Sequence, residues 1–318
     1  MIFNRKIFGG GIDLAEKRKI VESVPNFSEG TDDEKVEAIV EEIRKTPKTR
    51  IVDIQYDSDY NRAVITFVGE PEAVLQANIA ASKKALELID MTKHKGQHPR
   101  IGAVDVVPFV PAKNITMEEC DALAKQYAKT MAEEENIPVY LYEESAVKPA
   151  RKDIDNIRVG EYEGLKETIK TNPDHKPDYG PSQFHPTGGA VITGARMPLV
   201  CLNINLGTTN VKTAKRVARR IHLRSGGLVN VKAMGTELEG RDCVQVGISN
   251  VNYKKTPLYR QLELVRIEAA RYGVPVIGTE LVGPIPLEAA LNSLEYYLQL
   301  ENPKHLKEEH LIEHFFDF

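Results

Sequence analysis

Apolar residues recur along this chain at two spacings, and the switch from one to the other outlines its elements. Residues 19 to 24 alternate weakly and stop at Pro25, which predicts a first strand followed by the turn PNFSEG. Val36, Ile39, Val40 and Ile43 recur at helical spacing, so 32–45 is an amphipathic helix. Thr31 is its expected N-cap, with Asp32, Asp33 and Glu34 in the first turn. RIVDIQY and NRAVITFV are two strands joined by the polar turn DSDY, and 71–90 is an alanine- and leucine-rich helix. A loop with two histidines leads into the strand AVDVVPFV. The order is strand, helix, strand, strand, helix, strand, the split βαβ order of ferredoxin-like folds.

Thr116 caps a further helix to about residue 136, and PVYLYE follows as a strand. Residues 144 to 189 are more polar, with one helix in EYEGLKETIK. Prolines at 173, 177, 181 and 186 then mark a long loop or crossing. Beyond it the same order returns: PLVCLNINL, the helix NVKTAKRVARRIHL, LVNVKAMG, CVQVGIS, a helix expected to be capped by Thr256 with Pro257 at its first position, and PVIGTEL. PLEAALNSLEYYLQL closes the pattern as a helix. The expectation is an α+β protein with two ferredoxin-like (split βαβ) subdomains.

The chain has 318 residues, 42 % hydrophobic and 28 % charged, ordinary values for a globular protein. A net charge of −4 supplies no general field for nucleic acid. No apolar run approaches the roughly 18 residues of a membrane span, and the start does not read as a signal peptide. Cys120, Cys201 and Cys243 lie far apart with no CxxC pair. That spacing favours core packing in a reducing, cytoplasmic setting over a zinc or disulfide framework.

The chemistry concentrates in MTKHKGQHPRIGAVDVVPFVP, residues 91 to 111. Pro99 keeps His98 extended, and Gly96 and Gly102 allow close backbone approach around it. An imidazole so held suits proton transfer near neutrality; the plainer reading is a surface histidine in a rigid turn. His94 and His98 have the i, i+4 spacing of helical metal ligands, but Gly96 and Pro99 break helix and no third ligand stands nearby, so no metal is expected. Asn26, Ser28 and Glu29 form a polar turn, and Asp57, Asp59, Asn61 and Arg62 a polar hairpin. Lys212, Lys215, Arg216, Arg219 and Arg220 line one helix, either as a solvated face or as an attractor of polyanions.

Several blocks carry a resemblance: VPNFSEG (24–30), NRAVITFVG (61–69), IDMTKHKGQHPRIGAVDVVPF (89–109), PVYLYEES (138–145), DYGPSQFHPTGGAVITGAR (178–196), LNINL (202–206) and PVIGTELVGPIPLEA (275–289). Together they resemble the glutamate formiminotransferase family, in animals the amino-terminal part of formiminotransferase-cyclodeaminase. The resemblance spans roughly residues 19 to 300. It implies an N-terminal extension (1–18), a first subdomain (19–189), a second (190–300) and a tail (301–318), with a ligand cleft between the subdomains.

It also implies transfer of the formimino group between N-formimino-L-glutamate and tetrahydrofolate in histidine degradation, by a cytoplasmic homodimer. Any cyclodeaminase would then sit on a separate chain. His98 becomes the catalytic acid/base, with Asp57 or Asp59 orienting it. Gly180, Pro181, Ser182, Gln183, Phe184, His185, Pro186, Thr187, Gly188 and Gly189 become the folate-contacting segment. Asn26 stands with the substrate, and Arg62 or Arg100 would pair with its carboxylates. The chain departs from the family at three positions. Gly188 stands where tryptophan is frequent, Gln97 where glutamate is common, and Gln55 where some relatives carry aspartate. Two alternatives stay open: formyl transfer from 5-formyltetrahydrofolate to glutamate, and a non-enzymatic folate-binding or assembly module.

Overall fold

The computed structural model describes residues 18–238, 240–303 and 305–315, so all but the last residue of the expected N-terminal extension lies outside the described residues. The chain is mixed α+β with two sheets, and it separates into two compact units, one running to Ala195 and one starting at Arg196.

The first unit contains β1 (Ile20–Ser23), β2 (Asn26–Phe27), α1 (Asp33–Lys45), β3 (Thr49–Asp57), β4 (Arg62–Gly69), α2 (Pro71–Leu88), β5 (Val104–Lys113), α3 (Met117–Glu134), β6 (Val139–Leu141), α4 (Ile154–Ile157), α5 (Glu161–Thr168) and β7 (Val191–Ala195). β1 and β2 are two pieces of one strand, parted at Val24–Pro25 because proline has no N–H to give to a ladder. Both lie antiparallel between β4 and β5, and β3 pairs with the far side of β4. β7 then adds parallel to β5, and β6 parallel to β7. The apolar spacing did not announce β7. Its five residues are all buried, a pattern without alternation.

α1, α2 and α3 bury their apolar faces with the sheet's Phe27, Phe67 and Phe109 in one core. The N-cap of α1 is Asp32, not Thr31: Asp32 accepts from the backbone N–H of Glu34 and Lys35. Thr31 instead donates its hydroxyl to Glu29 at 2.8 Å. Thr116 does cap α3, in a reciprocal capping box with Glu119.

The second unit contains β8 (Val200–Leu206), α6 (Val211–Ile221), β9 (Val231–Glu237), β10 (Val244–Asn250), α7 (Leu258–Ala270), β11 (Val276–Val282) and α8 (Leu287–Leu298). Its strands pair antiparallel in the order β11-β8-β10-β9. Alternate residues Val200, Leu202, Ile204 and Leu206 meet Ala214, Val217, Ala218 and Ile221 of α6 in a second core. The five cations of α6 are all exposed on its opposite side. Thr256 does not cap α7: its hydroxyl goes to the Val229 carbonyl at 2.6 Å, and α7 starts after Pro257 without a side-chain cap. The described part of the tail forms two short turns, Glu308–His310 and Ile312–Phe315. No helix among the described residues is long and apolar enough to cross a membrane. All three cysteines are free, and burial pushes the Cys120 thiol up to about 12.

Candidate active site

The histidine loop between α2 and β5 rests on the β3–β4 turn. Asn61 sits in the left-handed region at φ 48°, a conformation asparagine tolerates better than most residues. Its side chain donates to the Lys95 carbonyl at 2.8 Å and accepts from the Gly30 N–H at 2.9 Å. Its own carbonyl receives His94 Nε2 at 3.0 Å, and the Asp59 carbonyl receives the Gln97 N–H at 3.1 Å. Gly96 is required here, because a Cβ would stand 2.4 Å from the Tyr60 carbonyl oxygen. At the loop's other end a Cβ on Gly102 would lie 2.0 Å from the Ala190 carbonyl oxygen. Close backbone approach, expected of both glycines, is therefore what each provides.

Asn26 lies opposite Val64 of β4, and Arg62 is two residues from Val64, so Asn26 and Arg62 share one face of the sheet. Arg62 Nη1 donates to Asn26 Oδ1 at 3.2 Å and meets His98 Nε2 at 2.8 Å. A guanidinium has only donors, so Nε2 accepts and the imidazole carries its proton on Nδ1. Burial lowers the His98 pKa most. The charges of Arg62, Arg158 and Arg100, with His94, lower it further, to about 3. His98 is therefore a neutral imidazole whose basic nitrogen is capped.

Behind it stand two further arginines. Asp105, 1 % exposed, accepts from the Ile101 N–H at 3.0 Å and holds the Arg158 Nη2. Arg158 Nε is buried without a hydrogen-bond partner. Arg100, 6 % exposed, meets Glu163 through both terminal nitrogens at 3.0 and 2.7 Å and Glu161 at 2.7 Å. Its Nε donates to His94 Nδ1 at 3.2 Å, which leaves the His94 proton on Nε2, facing Asn61. Cavities of about 490 and 460 Å³ flank this loop, one beside Pro99, Arg158 and Glu161, the other beside His94, Lys95 and Tyr162.

The segment from Gly180 to Gly189 is stitched to the same loop although about 90 residues away in sequence. The Thr187 carbonyl accepts from Met91 N–H at 2.8 Å, and the Gly188 carbonyl from Ala103 N–H at 2.8 Å. Within it His185 and Gly189 exchange backbone hydrogen bonds, and His185 Nδ1 accepts from Gly188 N–H at 2.9 Å. Phe184 is buried edge-on against Tyr162, while Ser182, Gln183 and Pro186 are exposed. At Gly188 a Cβ would lie 2.4 Å from Leu86 Cδ2, so Leu86 fills the space that a large ring would need.

The structure thus brings together His98, Arg62 and Asn26. Asp57 and Asp59 are exposed, and neither carboxylate hydrogen-bonds to the imidazole: Asp57 accepts from the Tyr60 N–H at 2.8 Å, and Asp59 contributes only its carbonyl. Arg100 is already engaged by Glu161 and Glu163. Ser28 is buried and donates to the Gly102 carbonyl at 2.7 Å. Glu29 Oε1 collects the N–H groups of Gly30, Thr31 and Asp32. Burial raises its pKa, but the N–H and hydroxyl of Thr31 together with Lys35 outweigh that and leave it below the usual carboxylate range. No group of three or more metal-binding side chains occurs among the described residues. Sequence reasoning missed Asp105 and Arg158. The signal for Asp105 was present: an aspartate inside an otherwise apolar strand is buried only with a partner. Nothing local pointed to Arg158.

Comparison with known proteins matches residues 20–196 to the formiminotransferase domain, N-terminal subdomain, and residues 201–317 to the formiminotransferase domain. A glutamate formimidoyltransferase of Streptococcus pyogenes serotype M1 is 43 % identical over 92 % of this chain and 99 % of its own length. One of Thermoplasma acidophilum is 45 % identical over 88 % of this chain and 93 % of its own. The formimidoyltransferase-cyclodeaminase of Mus musculus is 42 % identical over 92 % of this chain, which covers 55 % of that longer protein.

Proposed function

The chain is a transferase of the formiminotransferase family, and we propose that it passes the formimino group of N-formimino-L-glutamate to tetrahydrofolate, with His98 carrying the proton. The observation that carries this reading is the match along 99 % of an enzyme named glutamate formimidoyltransferase. The pairing orders β3-β4-β1/β2-β5 and β11-β8-β10-β9 support reading both units as ferredoxin-like.

In the reaction, N5 of tetrahydrofolate attacks the amidine carbon and a tetrahedral intermediate forms. The N5–carbon bond is made, and the bond from that carbon to the glutamate nitrogen breaks. One proton leaves N5 and one arrives on the departing nitrogen, so a single base that returns its proton balances the exchange. His98 is suited to this by its fixed loop and its place beside Arg62, which pairs with a substrate carboxylate. Asn26 holds Arg62 in position, and Asp57 and Asp59 serve by building the turn under the loop. The segment from Gly180 to Gly189, bonded to the loop's backbone, contributes the folate side. Holding both reactants in register supplies much of the acceleration.

His98→Ala should lower turnover roughly 10²-fold or more while folate still binds. Near-normal turnover removes His98 from the mechanism. Parallel assays with formimino and formyl donors decide the group transferred, and binding of folate without either reaction would leave only a binding module.

A further inference from the structure

Three guanidinium groups act on His98, and their partners differ. Arg100 holds two carboxylates, Glu161 and Glu163, and Arg158 holds Asp105. Arg62 has no carboxylate hydrogen-bonded to it among the described residues. Its Nη1 serves two neutral acceptors, Asn26 Oδ1 and His98 Nε2, and its Nε and Nη2 make no hydrogen bond to a described residue. Asp105, Tyr60 and Asp57 act on it only at a distance. Arg62 is therefore both the cation with most to gain from an incoming carboxylate and the clamp on the nitrogen that must take a proton.

We infer that the substrate arms its own base: a carboxylate seated on Arg62 draws the guanidinium off His98 Nε2 and frees that nitrogen to accept the N5 proton. Hydrogen bonds from a guanidinium to a carboxylate are roughly twice as strong as those to neutral acceptors, and bidentate geometry adds to them. The exchange of partners is thus downhill for Arg62. A carboxylate on the unpaired Nε–Nη2 edge works in the same direction, because it offsets the positive charge that disfavours an imidazolium. The other groups facing the ring are Arg158, from the residue after α4, and Arg100 and His94 from its own loop. Arg158 and Arg100 already have anionic partners, so Arg62 is the group through which an anion changes the ring. In the free enzyme the base stays capped. A substrate with amides in place of carboxylates can occupy the site without arming it. The inference takes its carboxylate from the transferase reading above.

The test is an NMR pH titration of the His98 ring, assigned by the resonance lost in His98→Gln, with the whole protein alone, with saturating L-glutamate, and with the diamide of glutamate. The free ring should stay neutral below pH 5. L-glutamate should raise its midpoint by at least one unit, a tenfold change in proton affinity, and the diamide should leave it unmoved. In Arg62→Gln the midpoint should already be raised and should no longer respond to glutamate. Arg62→Met, which likewise removes the charge and the donors, repeats the measurement if the glutamine variant does not fold. A midpoint that glutamate does not move, no saturable glutamate binding, or a variant midpoint equal to that of the wild type overturns the inference. Formimino transfer by the same wild-type sample separates the two claims. Active enzyme with an unmoved midpoint overturns only the arming, and a moved midpoint without transfer overturns only the reaction assigned.

Discussion

Asp105→Ala removes a carboxylate that ties the start of β5 to the loop carrying His98. Asp105 is 1 % exposed and makes two bonds, to the Ile101 N–H at 3.0 Å and to Arg158. Losing the first leaves a buried N–H without a partner, at a cost of about 1–3 kcal/mol. Losing the second leaves a guanidinium whose Nε already lacks a partner. Breaking a fully buried pair costs about 3–5 kcal/mol, less here because the Arg158 side chain keeps 13 % exposure. The sum is about 3–7 kcal/mol, a large share of the roughly 5–15 kcal/mol that holds a typical domain folded. Urea unfolding of Asp105→Ala, Arg158→Met and the double variant measures it. The double variant should be more stable than the two single losses predict, by about 0.5–3 kcal/mol, because removing Arg158 removes the stranded charge. A cost below about 1 kcal/mol for Asp105→Ala, or a strictly additive cycle, would refute the reasoning.

Acid stability follows from His98. The native ring protonates only near 3 while the unfolded one does so near its ordinary value of 6.5, so the unfolded chain binds the proton first. The contribution of His98 to wild-type stability should fall as pH drops from about 6.5 toward 3, by at most about 1.4 kcal/mol per unit and less for a partly exposed ring. His98→Gln should lose less over that window, and equal pH slopes in urea titrations would contradict this. Gly102→Ala drives a Cβ against two backbone oxygens, those of Ala190 and Gly188 at 2.0 and 2.6 Å, and should cost about 3 kcal/mol, seen as a lowered thermal midpoint. An unchanged midpoint would mean that the two backbone segments part freely there. Thr116→Ala removes half of the capping box on α3 and should cost about 1 kcal/mol; a change within error would assign that helix end to packing alone.

The periodicity along the chain was enough to locate most helices and strands, because each buries one face and its spacing records which residues do so. His98 was legible for a related reason: Pro99 constrains its neighbour's backbone whatever the rest of the chain does. The caps at Thr31 and Thr256 were misread because a hydroxyl goes to the strongest acceptor within reach. For these two that acceptor was the Glu29 carboxylate and the Val229 carbonyl, neither predictable from a helix start. β7 carried no period to read, being buried on both faces.

What the sequence by itself determined about this protein is its elements, its family and its imidazole. Those follow from local sterics, from the period of burial and from blocks of similar residues. The partners of that imidazole were decided only by the tertiary structure. Arg62 reaches it across 36 positions, and Asp105 meets Arg158 across 53. The carboxylates expected to orient the ring lie exposed on the turn beneath the loop, and a cation caps it instead. Charge acts through space, and the order of residues along a chain does not say which of them will share it.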